Sequence, residues 1–141
     1  MLPSRYKELL NDLESLEQSE RFELLIEFAE RFQPVPESIA TSPYRVENRV
    51  PGCESEVYVW NIPDSKGLPK WYFAVENPQG ISAKAMAVIL DETLSGESPE
   101  QIAQIPQESI YTIFGRTLSM GKGQGLMSML GVIKVLAQRS L

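Results

Sequence analysis

Apolar residues in the first third of the chain recur every three or four positions, which is the spacing of one face of a helix. A first helix is predicted over residues 5–16, and a second over residues 19–32 with Ser19 as its N-cap. The first helix carries three leucines on its apolar face: Leu9, Leu13 and Leu16. The very short connection between the two helices predicts an antiparallel pair.

Farther along the chain, β-branched and aromatic residues replace the helical spacing and predict strands. One strand is predicted over residues 56–60 and a return strand over 71–75, with a turn-rich connection between them. Arg49 and Val50 are candidates for a short third strand. Four large aromatic residues are interpreted as the packed face of this sheet rather than as a ligand platform: Trp60, Trp71, Tyr72 and Phe73.

Helical spacing returns in the second half of the chain. Helices are predicted over residues 82–94, 98–103, 107–114 and 126–138. The first of these is apolar almost all round, so it is expected to be the most buried. Ser98 is the predicted N-cap of the second, because a proline and a glutamine follow it at the first and third helical positions. The glycine-rich segment 120–125 is placed before the last helix.

The order of two helices, two or three strands and then more helices predicts an α+β fold. In this fold, helices cover a small antiparallel sheet. A chain of 141 residues is expected to form a single domain over residues 1–141. It contains no run of 18 apolar residues, and its N-terminus is charged where a signal peptide is apolar. No membrane association and a cytoplasmic location are therefore expected.

The composition narrows the classes of function. The net charge is −6, and no basic stripe interleaved with aromatic residues is present, so nucleic acid is not an expected partner. The chain has no histidine, which is the usual base of thiol hydrolases. It also has a single cysteine, too few for a zinc site, an iron–sulfur cluster or a dithiol redox pair.

That single cysteine, Cys53, follows the turn residues Pro51 and Gly52 and precedes the first predicted strand. One interpretation is a small buried hydrophobic residue, which is common for free cysteines. The polar residues around it favour a second interpretation, a partly reachable thiol at a loop tip or strand entrance. The chemistry left to one thiol is exchange, in which it accepts a group from another protein's sulfur and passes it on.

Charged neighbours of Cys53 act on its pKa in opposite directions. Glu54 and Glu56 would raise the pKa of the thiol, whereas Arg45 and Arg49 would lower it. The sequence leaves the balance between these effects open.

Two separated segments resemble the signature of the SufE family, whose members accept sulfur from cysteine desulfurases in iron–sulfur cluster biogenesis. Residues 49–59, RVPGCESEVYV, resemble the family pattern Val-x-Gly-Cys-x-Ser-x-Val followed by an aromatic residue. Residues 118–126, LSMGKGQGL, resemble a second family motif that precedes the last helix. Met120 stands where the family has proline, and Lys122 stands where it has arginine. Lysine keeps the charge but lacks the planar fork of donors.

The resemblance implies a SufE/IscU-like fold and a sulfur carrier with Cys53 as the catalytic residue. Cys53 would take persulfide sulfur from a SufS-type cysteine desulfurase, stimulate that enzyme, and pass the sulfur to iron–sulfur scaffold proteins. The pyridoxal phosphate belongs to the desulfurase, so this chain is expected to hold no cofactor and no metal. The resemblance also implies that the cysteine loop rests against an apolar patch and swings out, with Gly52 as a hinge.

Candidates for the sulfur-bearing loop and for partner contact are Arg49, Gly52, Glu54, Ser55, Lys122, Gln124 and Gly125. Alternatives stay open for several of them. Lys122 is equally compatible with a solvated charge near a helix N-terminus, and Gln124 with Gly125 is equally compatible with a capping and turn device. For the chain as a whole, the alternative is a regulatory or scaffold protein that binds a desulfurase without carrying sulfur.

Overall fold

Six α-helices and one antiparallel sheet of two strands form the part of the chain that the computed structural model describes, residues 1–139. The helices are α1 (Ser4–Glu14), α2 (Gln18–Glu30), α3 (Ile81–Leu94), α4 (Pro99–Ala103), α5 (Ile110–Phe114) and α6 (Met120–Arg139). The strands are β1 (Val57–Asn61) and β2 (Trp71–Val75), and 3₁₀ helices cover Val46–Asn48 and Gln107–Ser109. The predicted α+β fold is confirmed.

Side chains of successive strand residues point to opposite sides of the sheet, and apolar clusters cover both sides. β1 and β2 pair antiparallel, with Val59 opposite Phe73. The main core takes one face: Val57, Val59, Trp71 and Phe73. A second apolar cluster takes the other: Tyr58, Trp60, Tyr72 and Ala74. Val35 joins this second cluster, and its N–H donates to the carbonyl of Phe73 at 2.8 Å. The large aromatic residues are thus divided between two faces rather than gathered on one.

The candidate third strand does not form in the described part of the chain. Arg49 makes only an isolated antiparallel bridge with Tyr58. The Val50 N–H donates to the carbonyl of Val57 at 2.8 Å, so the chain before the cysteine is nevertheless paired with the start of β1. Two paired positions are too short for a strand, but they close the loop that contains Cys53.

The start of α2 corrects the predicted cap. Glu17, not Ser19, is the N-cap, and it forms a capping box with Glu20. The carboxylate of Glu20 accepts the N–H of Glu17 at 3.1 Å, while the Glu17 side chain accepts from the N–H of Glu20. These reciprocal bonds satisfy two donors at the helix start, and negative charge is favourable there. Two acidic residues therefore cap this helix in place of the serine.

The last helix begins earlier than the sequence predicts, at Met120 rather than after Gly125. Glycine costs about 1 kcal/mol relative to alanine inside a helix, which is why the segment 120–125 resembles a loop. Ser119 offsets part of this cost, since its Oγ accepts from the N–H of Lys122 at 3.3 Å. Close packing explains Gly123, where a Cβ would lie 2.8 Å from the Tyr111 Oη. Because Gln124 and Gly125 both lie inside α6, the interpretation of this pair as a capping and turn device is wrong.

α3 forms the centre of the core, as its apolar sequence predicts. Nine of its 14 residues are buried, and it packs against α2, β2 and α6. α6 in turn packs against β1 and α4. This arrangement brings the N-terminal part of α6 to the loop between residue 50 and β1. None of the described helices is long and apolar enough to cross a membrane.

Candidate functional site

The cysteine loop, defined here as residues 51–56, projects from the N-terminal end of β1. Its backbone takes the left-handed conformation twice, at Gly52 with φ of 71° and at Glu56 with φ of 52°. A Cβ at position 52 would meet nothing within 4 Å, so conformation rather than space explains that glycine. The N–H of Glu56 donates to the carbonyl of Cys53 at 3.3 Å. The sequence thus folds into a tight loop that turns the cysteine inward.

Cys53 is buried in this loop, with 9% of its surface exposed, and it belongs to the main hydrophobic core. Gly125 of α6 lies directly against it, because a Cβ on Gly125 would be 3.6 Å from both the Cα and the Sγ of Cys53. The prediction of a partly reachable thiol is therefore wrong for this conformation. The resting position is the tucked one that the family resemblance implies.

Burial determines the electrostatics of the thiol. Burial raises the pKa of Cys53, because the thiolate loses hydration inside the protein. The backbone N–H groups of Ser55 and Val57 and the charge of Arg49 lower this pKa, while Glu54 raises it further. Desolvation therefore affects the pKa of Cys53 more than the opposing charges of its neighbours do. Burial thus favours the thiol over the thiolate in the closed loop.

A groove of about 390 Å³ opens beside Cys53 between the cysteine loop, the start of α3 and the start of α6. Five of the predicted site residues line it: Cys53, Glu54, Ser55, Lys122 and Gly125. Glu54 and Lys122 are exposed, so the groove has charges of both signs at its edge. Ser55 is anchored through its carbonyl, which accepts from the N–H of Asn77 at 3.2 Å.

The other predicted site residues do not line this groove. Arg49 lines a different cavity, of about 430 Å³, together with Pro51 and Ser128. Gln124 is exposed and lines neither of these two cavities. Gly52 is exposed at the turn of the cysteine loop. The structure therefore groups the candidates around the thiol but separates Arg49 and Gln124 from the groove.

Three residues of this region were not predicted from the sequence. Phe22 is 59% exposed and Ile81 is 48% exposed, and both line the groove. Phe22 lies three positions before Leu25 and fits the apolar spacing of α2, so no local pattern signals its exposure. Ser128 contacts the cysteine loop, since its Oγ donates to the carbonyl of Pro51 at 2.7 Å. No local pattern indicates a contact across 77 positions.

The described residues contain no cluster of three or more histidine, cysteine, aspartate or glutamate side chains that could hold a metal ion. The polar side chains that line the groove beside the thiol are amides, hydroxyls and two charged groups: Asn77, Gln79, Ser55, Ser82, Glu54 and Lys122. The reactive group that this arrangement offers is a single nucleophilic sulfur. It can form a bond to another sulfur when it is deprotonated and reachable.

Alkylation of Cys53 by iodoacetamide is expected to be slow at neutral pH and to keep accelerating past pH 9.0, the ordinary pKa of a cysteine thiol. The thiolate is the nucleophile, and burial keeps Cys53 protonated to higher pH. Labelling followed by mass spectrometry from about pH 7 to about pH 10 measures this profile. A peptide with one exposed cysteine is the control. A rate for Cys53 that levels off at or below the pH of the peptide's plateau would contradict the raised pKa.

The fold agrees with comparisons to known proteins. Residues 7–137 match the family model described as "SufE: Fe-S metabolism associated domain". The protein is therefore one of the class associated with iron–sulfur metabolism. More particularly, the chain belongs to the SufE family, as the two sequence motifs indicated.

A curated protein and a solved structure are among the proteins similar to this chain. "Cysteine desulfuration protein SufE" of Plasmodium falciparum (isolate 3D7) is 28% identical over 91 residues, which are 63% of this chain and 36% of that protein. The chain thus matches only about a third (36%) of that relative's length. The solution structure of a hypothetical protein from Thermus thermophilus is 26% identical, with a TM-score of 0.74. That similarity covers 99% of this chain and 98% of the other.

Proposed function

We propose that this protein is a sulfur carrier that accepts persulfide sulfur on Cys53 from a SufS-type cysteine desulfurase. The sulfur then passes to an iron–sulfur scaffold protein. The observation that carries this proposal is the buried Cys53 thiol, held beside an open groove by a loop with left-handed residues at Gly52 and Glu56. Membership of a family associated with iron–sulfur metabolism supports the same function.

The proposed transfer needs only the chemistry of one thiolate. Cys53 loses its proton to solvent and attacks the outer sulfur of the persulfide on the desulfurase. A new sulfur–sulfur bond forms on Cys53, and the old bond breaks as the partner's cysteine leaves as a thiolate. The two sulfur–sulfur bonds exchange, so no external oxidant or reductant is consumed. Cys53 then carries a persulfide, and the same exchange in the next step delivers the sulfur to the acceptor.

The residues around the groove have complementary roles in this proposal. Backbone N–H groups of Ser55 and Val57 act on the Cys53 sulfur and favour its anionic form. Gly125 leaves α6 without a side chain beside the sulfur. Exposed Lys122 would contact the partner as a point charge. Burial protects a resting persulfide from reductants and from further oxidation.

The proposal predicts that Cys53 gains one sulfur when the protein is incubated with a cysteine desulfurase and free cysteine. Intact-mass spectrometry measures the gain, peptide mapping assigns it to Cys53, and treatment with a thiol reductant removes it. Omitting free cysteine provides the control, because the desulfurase then has no sulfur to transfer. An unchanged mass with a desulfurase that is active on free cysteine would overturn the proposed function.

A further inference from the structure

We propose that Ser128 is a positioning residue that holds the cysteine loop closed and so limits how often Cys53 becomes reachable. This inference rests on the proposed function only for its purpose, since a carrier must release a buried sulfur to its partners. The contact itself is a feature of the closed structure. It joins Pro51, in the first family motif, to Ser128, which lies just beyond the second.

The N-terminal end of the cysteine loop is attached to α6 through this contact. The Oγ of Ser128 donates to the carbonyl of Pro51 at 2.7 Å, and the two residues are 77 positions apart. Proline has no N–H, so its carbonyl is the hydrogen-bonding group that Pro51 offers. The bond therefore fixes the loop at its exposed corner, two residues before Cys53.

The C-terminal end of the loop is attached in a different way. The Asn77 N–H donates to the carbonyl of Ser55, and the Glu76 N–H donates to the carbonyl of Glu56, both at 3.2 Å. These backbone bonds continue the pairing of β1 with β2, so the sheet stabilises that end. Before the loop, the Val50 N–H is bonded to the carbonyl of Val57. Opening is therefore expected just after Val50, at Pro51, where a single hydroxyl provides the described side-chain hydrogen bond.

Ser128 and Gly125 lie three positions apart on α6, so they share one face of the helix. Gly125 lets the thiol of Cys53 approach the helix, and Ser128 binds the loop at Pro51. The two contacts restrain the same segment from the same helix. Removing the hydroxyl leaves the packing at Gly125 in place and releases only the corner of the loop.

The test is the rate at which iodoacetamide labels Cys53 in the Ser128→Ala variant of the isolated protein. Labelling of a buried group follows the population of the open state when opening is rapid. An exposed hydrogen bond of this kind corresponds to about a two- to tenfold change in that population. We therefore expect labelling to be faster than in the unmodified chain by that factor. Because Cys53 is the chain's one cysteine, the reaction is unambiguous.

Three readouts distinguish positioning from a general loss of stability. Ser128→Thr restores the hydroxyl and is expected to return the rate toward the original value. Ser15→Ala removes a comparable exposed bond, from Ser15 Oγ to the Asp12 carbonyl at 3.0 Å, and is expected to leave labelling unchanged. The pH profile of labelling is expected to keep its midpoint, because Ser128 acts on opening and not on the thiol.

An unchanged labelling rate in Ser128→Ala overturns the inference, as does an equal acceleration in Ser15→Ala or a failure of Ser128→Thr to slow the reaction. These outcomes are separate from the test of the proposed function, which uses sulfur supplied by a desulfurase. Faster labelling of Ser128→Ala without sulfur acceptance would uphold the positioning role of Ser128 and overturn the carrier function. Sulfur acceptance with no effect of Ser128→Ala on labelling would uphold the carrier function and overturn the positioning role of Ser128.

Discussion

Replacing Cys53 by serine is expected to abolish sulfur acceptance completely. A serine hydroxyl has nearly the size of the thiol, but it is not ionised near neutral pH and cannot exchange a sulfur–sulfur bond. The chain has one cysteine, so no other thiol can take over. Intact-mass spectrometry after incubation with a desulfurase and free cysteine should show a sulfur gain in the original protein and none in Cys53→Ser.

The same variant separates the carrier from the regulatory alternative. A carrier that draws sulfur from the desulfurase should lose its stimulation of that enzyme together with its thiol. Stimulation that survives Cys53→Ser would favour a protein that binds the desulfurase without carrying sulfur. Cys53→Ala is the companion variant, because burying a hydroxyl in place of a thiol can itself destabilise the fold. Thermal unfolding of both variants shows whether the fold is retained.

Replacing Gly125 by valine is expected to accelerate alkylation of Cys53 by roughly 5- to 150-fold, the factor that corresponds to the overpacking cost of the larger side chain. A Cβ at this position already reaches van der Waals contact with Cys53, at 3.6 Å from its Cα and Sγ. The two further methyl groups of valine would overpack the site, which costs about 1–3 kcal/mol. Movement of the cysteine loop away from α6 relieves that cost, so the closed state loses population by the corresponding factor. Iodoacetamide labelling measures it.

Two further glycine substitutions are the controls. Gly125→Ala adds only the Cβ, which fits in ordinary contact, so its labelling rate should lie close to that of the original chain. Gly131→Val makes the same change elsewhere on α6, where a Cβ meets the flexible end of Gln107 at 2.9 Å. It should leave labelling unaffected. Slow labelling of Gly125→Val in a folded protein would show that the loop does not open by leaving α6.

Cys53→Ser and Gly125→Val test different properties of the same site. A sulfur carrier needs a nucleophile, and it also needs to withhold that nucleophile between partners. In the proposed function, Cys53 would provide the first and its burial against Gly125 would provide the second. Burial also raises the pKa of the thiol, so in the closed protein Cys53 is both buried and weakly nucleophilic. Opening of the cysteine loop would remove both restraints together.

The secondary structure was largely predictable because it depends on neighbours in the sequence. The repeat of Leu9 and Leu13 predicts α1, although the helix ends at Glu14, before Leu16. Alternation of β-branched and aromatic residues predicts β1 and β2. Ser98 was correctly predicted as the N-cap of α4, since its Oγ accepts from the N–H of Gln101 at 3.3 Å. The prediction of Ser19 as the N-cap of α2 was wrong, because Glu17 and Glu20 form a capping box at the start of that helix.

By itself the sequence determined which chemistry is available: one cysteine, no histidine and no second thiol leave sulfur exchange. Only the tertiary structure determined that the sulfur of Cys53 is buried and what it is buried against. The burial of Cys53 and the helical placement of Gly125 both arise from the packing of α6 against the cysteine loop. The bond from Ser128 to Pro51 joins residues 77 positions apart. Such contacts have no local pattern, because they depend on where distant segments meet once the core has formed.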